Sequence, residues 1–136
     1  MATLTADTPR VYELGDINEL VAASAIKEGA FVFAVKASGL AAVGAVALST
    51  HAFAGIAQRG VASGENVRVR DKGKVVMPVT GASAASVGAI VYASDDNTLT
   101  LTASTNVPVG AVARHISGTT CVVEFKATAE RDFATT

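Results

Sequence analysis

Two stretches of the chain repeat each other, and no other feature restricts the possible folds as much. Gly29-Ala30-Phe31-Val32-Phe33-Ala34 resembles Gly88-Ala89-Ile90-Val91-Tyr92-Ala93. Further on, Gly55-Ile56-Ala57-Gln58-Arg59 resembles Gly110-Ala111-Val112-Ala113-Arg114, allowing a slip of one. Each copy then reaches Ser-Gly, at Ser63-Gly64 and Ser117-Gly118, and an alternating valine run. The second copy reads as β structure. Asp95-Asp96-Asn97 is turn chemistry, because Asp and Asn side chains bond their own backbone. Leu99 and Leu101 alternate with threonines, and Cys121, Val123 and Phe125 alternate with Val122 and Glu124, the two-residue period of a strand. If the copies share a fold, the first is β as well. That includes residues 41–48, where Ala favours helix while Val and the flanking glycines favour strand. Two such strand-turn-strand units predict an all-β fold, a small barrel or sandwich of roughly eight short strands.

The segment between the copies follows the same period. Val67 and Val69 face one side, Arg68 and Arg70 the other. Asp71-Lys72-Gly73 is expected to make a turn, with Val75, Met77 and Val79 continuing the inward face. Pro78 has no N–H to donate and belongs at an edge or a strand end. Residues 82–87 suit at most one short helical turn, with Ser83 as its cap.

The first residues differ in character. Residues 1–9 are polar and rich in Thr and Ala, which predicts a mobile arm. In residues 10–20 the apolar Val11, Tyr12, Leu14 and Ile17 are interrupted by Gly15 and Asp16. Such a segment either lies extended along a neighbour, fixed by side-chain anchors, or forms an edge strand of its own domain. Arg10, Val11, Tyr12, Leu14, Asp16 and Ile17 are the candidate partner-binding residues. The expected division is an extended arm over 1–20, one β domain over 21–126 and a polar tail over 127–136.

Composition narrows the function. A chain of 136 residues suffices for one domain with a real core. Half its residues are apolar, mostly Ala and Val, and Trp is absent, so the core is built of thin layers. The net charge of −1 lacks the basic excess that neutralises phosphates, which argues against nucleic acid as a partner. The single Cys121 excludes an intramolecular disulfide and fits folding in a reducing cytosol. The opening residues show neither the basic nor the apolar region of a secretory signal. Residues 30–48 approach the ~20 apolar residues of a membrane span. Lys36, Ser38 and Gly39 fall in its middle, however, and a central Lys costs about 2.5–3.5 kcal/mol.

No catalytic constellation is visible. His51 and His115 share no local motif with Cys121, whose alternation with Val123 and Phe125 reads as burial rather than as a reactive thiol. Gly73-Lys74 ends like a phosphate loop, but Arg68 replaces the required glycine and Val75 the required Ser/Thr. Residues 81–85 fall short of a nucleophile elbow by its last glycine. Asp95-Asp96-Asn97 lacks the glycine and distal glutamate of a calcium loop. Asp16 and Glu19 could pair as carboxylates, but an arm cannot hold them in catalytic geometry. No enzyme activity, metal or cofactor is expected.

At RVYELGDINEL, at VRVRDKGKVVMPVTGASAASVGAIVYASDDNTLTLT and at VGAVARHISGTTCVVEF, the chain resembles the capsid cement, or head decoration, proteins of tailed bacteriophages. Within them it is similar to a family of small phage proteins formerly of unknown function and sometimes labelled RecA-like. That label needs a phosphate loop, which the sequence does not contain. The resemblance spans about residues 10–125 and rests on G-x-x-V-Y-x-S-D-D and V-G-x-V. It implies a β-tulip-like fold and a homotrimer on the outside of the expanded head. It also implies that the major capsid protein is the partner, that neighbouring subunits are clamped, and that the protein is made in the host cytoplasm. Two other readings stay open: a ligand- or glycan-binding β module on the virion surface, and a hydrolase using Ser83 or Cys121.

Overall fold

A computed structural model describes residues 17–128. The fold is all-β, as the repeat predicts. The strands are β1 (Ile17–Val21), β2 (Phe31–Val35), β3 (Ala41–Ala42), β4 (His51–Ala57), β5 (Asn66–Arg70), β6 (Lys72–Thr80), β7 (Ile90–Ala93), β8 (Leu99–Thr100), β9 (Val107–Ser117) and β10 (Thr120–Lys126). One 3₁₀ turn, Ala84–Ser86, is capped by Ser83, whose side chain accepts from Ala85 N. The first five strands form a sheet in the order β1-β5-β4-β2-β3, and the last five close into a barrel, β10-β6-β8-β7-β9.

The repeat extends to individual hydrogen bonds. Val32 pairs with Gly55 as Val91 pairs with Gly110, and each ladder slips just beyond that pair. Gly29 N donates to Ala57 O (3.0 Å) as Gly88 N donates to Val112 O (2.8 Å). Even the closure is shared. β6 meets β8 in parallel at Val79↔Leu99, and the first sheet's edges meet at one parallel bridge, Ala22↔Ala41. The chain is therefore two copies of one five-strand unit, the second closed more fully than the first.

Each unit has its own interior. Ala22, Val32, Ala54, Ala57, Val67 and Val69 fill the first. Their register counterparts Val79, Val91, Val109, Val112, Cys121 and Val123 fill the second. The small side chains let strands approach closely. Gly55 and Gly110 mark the tightest places, where an added Cβ would overlap the carbonyl oxygens of Arg70 and Glu124 respectively. The units are joined by aromatic packing. Phe53 lies 5.5 Å from Phe31, 5.6 Å from Phe33 and 6.4 Å, edge-on, from Phe125 of the barrel. Pairs of this geometry contribute about 0.5–1.5 kcal/mol beyond their buried area.

Two local expectations are corrected. Asp71-Lys72-Gly73 is not a hairpin turn: Asp71 alone separates β5 from β6, and the two strands belong to different sheets. Val75, Met77 and Val79 thus face the barrel interior, not the one holding Val67 and Val69. Of residues 41–48 only Ala41–Ala42 is strand. The rest turns at Gly44 (φ +95°) and reaches across to the second unit, where Val46 N donates to Ser94 O (3.1 Å) and Leu48 N to Thr105 O (2.8 Å). Those carbonyls satisfy donors that a longer ladder would otherwise have used.

Candidate functional site

Of the candidate partner-binding residues, Arg10, Val11, Tyr12, Leu14 and Asp16 lie outside the described residues. Ile17 opens β1, half-buried, opposite Arg70. Residues 17–20, expected as the end of an arm, thus belong to an edge strand, one of the two possibilities the sequence leaves open. Leu20 packs beside the first interior, while Asn18 and Glu19 are exposed.

β1 is the terminal strand of its sheet. Ala22 N bonds Glu65 O (2.8 Å) on the β5 side. By alternation, the amides of Ile17, Glu19 and Val21 point the other way. Among the described residues no strand pairs with that outer side before the bridge at Ala22. The Glu19 N–H on that side is taken by Asn18 Oδ1 (2.9 Å). A local polar cap of this kind blunts an exposed strand edge without covering it. The geometry is an edge with donors and acceptors in line, entered directly from residues 10–16.

Cys121 and His115 are partners in the β9–β10 register, while His51 and Ser83 lie on other elements. Cys121 is fully buried, and its thiol faces Thr119 O at 3.6 Å. His51 Nδ1 lies 2.8 Å from Thr50 Oγ1, and His115 Nε2 lies 2.9 Å from Gly118 O, each in its own turn. Ser83 is engaged in the capping box of the 3₁₀ turn. Among the described residues no three His, Cys, Asp or Glu side chains gather as metal ligands. The Asp95 carboxylate accepts from Asn97 N (2.8 Å) and Thr98 Oγ1 (3.1 Å), so it holds its own loop together. An open groove of about 550 Å³ crosses Gly73 and Gly110, with Lys72, Glu124 and Lys126 on its rim. Gly73 and Gly110 both lie opposite Phe125, one on each neighbouring strand, and carry no side chains to fill it. No helix of the described residues is long and apolar enough to cross a membrane.

Sequence reasoning missed one surface. Val87 and Ile90, on and beside β7, are 56 % and 54 % exposed. The signal lay in the repeat itself: Phe31 and Phe33 of the first copy become Ile90 and Tyr92 in the second, a loss of aromatic bulk on one outer face.

No curated protein matches the sequence significantly. The family described as phage cement protein matches residues 13–126, nearly the whole described chain and the last residues before it. The match covers both copies of the unit and the strand that leads into them, and the chain belongs to the phage cement protein family.

Proposed function

We propose that this protein decorates the outer surface of an expanded phage head as a homotrimer, clamping neighbouring major capsid subunits against one another. Family membership supports a structural role associated with the capsid. The observation that carries the finer reading is the edge of β1, unpaired on its outer side among the described residues and entered from Arg10, Val11, Tyr12, Leu14 and Asp16. A segment of that kind grips a partner by adding to a sheet edge, with backbone bonds giving affinity and alternate side chains giving specificity. Ordering one segment costs entropy, so a single grip is weak. Three on one trimer act through effective concentration and raise avidity by about 10²–10⁴. The role needs no catalysis, cofactor, nucleic acid or membrane. The protein is made in the host cytoplasm and ends on the virion exterior.

Deleting residues 1–16 tests this. The truncated protein is expected to remain a folded oligomer and to lose binding to expanded heads. Full occupancy of heads by the truncated protein would overturn the grip.

A further inference from the structure

The last described residues tie the two units together where the first sheet leaves a strand partly unpaired. β4 runs over His51–Ala57, but β5 pairs with it only at Ile56 and Ala57, because β5 ends at Arg70 and the chain passes through Asp71 into the barrel. Phe53, in the stretch that β5 does not reach, donates its N–H to Thr128 Oγ1 (3.2 Å), 75 positions further along the chain. The residue before Thr128 is fixed as well. Ala127 is 3 % exposed, and its N–H donates to Asp71 O (2.7 Å). The ladder of β10 with β6, which ends at Lys126↔Lys72, is thus carried one residue further, onto the link itself. Two residues earlier, Phe125 sets its ring edge-on to Phe53 at 6.4 Å.

The repeat shows why one copy needs such a contact and the other does not. Phe33↔Phe53 in the first copy corresponds to Tyr92↔Pro108 in the second. Proline has no N–H, so the second copy has no donor to satisfy at that position. In the first copy the donor is present on a residue that is 1 % exposed, and a buried donor left without an acceptor is costly. The acceptor comes from the segment that leaves the other unit.

We propose that Ala127 and Thr128 form a clasp that couples the two units. Ala127 holds the segment to the link between the units, and Thr128 reaches from there to the first sheet. The barrel cannot turn away from the first sheet without breaking the bond to Phe53. Thr128 is itself exposed, whereas Phe31, Phe33, Phe53 and Phe125 are buried. The clasp is therefore the part of the contact between the units that opens without dismantling the phenylalanine cluster. It stands whether or not residues 10–16 grip a shell.

Native-state hydrogen exchange, read residue by residue by NMR, tests it on full-length wild type, Thr128→Val and Thr128→Ser. Valine keeps the branched shape without the hydroxyl, and serine keeps the hydroxyl. The Phe53 amide is expected to exchange about tenfold faster in Thr128→Val, the scale of one lost hydrogen bond, and at close to the wild-type rate in Thr128→Ser. The second reading is of the coupling. Val32 and Val123 are fully buried, one in each unit. In the wild type their amides are expected to share one opening free energy, because the units open together, and in Thr128→Val to separate into two. An unchanged Phe53 rate in Thr128→Val, or a Thr128→Ser protein that behaves like Thr128→Val, overturns the bond. Equal acceleration of both units in Thr128→Val makes Thr128 a contributor to general stability and overturns the clasp.

Discussion

Replacing Gly110 with alanine isolates the cost of strand approach from the cost of backbone conformation. Gly110 lies in β9 opposite Phe125, and its φ is outside the positive range that favours glycine. The obstacle is spatial. An added Cβ would overlap Glu124 O and stand 2.9 Å from both Glu124 C and Phe125 Cα. Those carbons would have to retreat by about 0.5 Å to reach an ordinary 3.4 Å contact, and the oxygen by more. Because these are backbone atoms of a barrel strand, no side-chain rotation relieves the overlap. Overpacking of this kind costs roughly 1–3 kcal/mol, and each ladder bond distorted by the retreat forfeits about 1 kcal/mol more. The reduced freedom of the unfolded chain returns about 0.4–1 kcal/mol. The expected net loss is therefore about 2–4 kcal/mol, a fall in melting temperature on the order of 10 °C. Thermal unfolding followed by circular dichroism reads it directly. Gly88→Ala is the control: its Cβ meets nothing within 4 Å, but its φ of +89° costs a side chain about 1–2 kcal/mol. A Gly110→Ala protein melting within about 2 °C of wild type, less than 1 kcal/mol on this scale, would refute the reasoning.

Phe53→Ala removes the ring that touches Phe31, Phe33 and Phe125. The expected loss is about 3–5 kcal/mol, with urea unfolding separating into two transitions as the units uncouple; a loss under about 1 kcal/mol would show that this contact does not join them. Cys121, with no exposure, is expected to resist an aromatic disulfide reagent in the native protein and to react fully in denaturant. Rapid native labelling would contradict its burial.

The sequence carried much of this fold because the repeat is written in glycines and valines whose positions the backbone cannot relax. Gly55 and Gly110 were legible as matched positions, and both prove to sit where a neighbouring strand leaves no room for a side chain. The alternation of Val67 and Val69 reported burial correctly, as did that of Cys121, Val123 and Phe125, although Val122 on the opposite face is buried as well. What stayed hidden was which interior each strand faces. Val69 and Val75 look like one continuous face, yet they fill different units, since a two-residue period says nothing of which sheet a strand joins. Residues 43–48 depart from the expected strand because Val46 and Leu48 donate to Ser94 and Thr105 of the other unit, a long-range effect with no local pattern. Of the candidate site only Ile17 could be placed, as the first residue of an edge strand. The exposed Val87 and Ile90 could have been found by asking why one copy is richer in phenylalanine than the other.

The passage between the two units has a mechanical consequence. A single residue, Asp71, separates β5 from β6; it is 7 % exposed, and its carbonyl accepts from Ala127 N at 2.7 Å. Neighbouring Cα atoms are about 3.8 Å apart, so the link has no slack to take up. A tug on β1, borne by its ladder with β5, therefore reaches the barrel with no hinge in between to absorb it. Whatever holds one end of this molecule also fixes the bearing of the other.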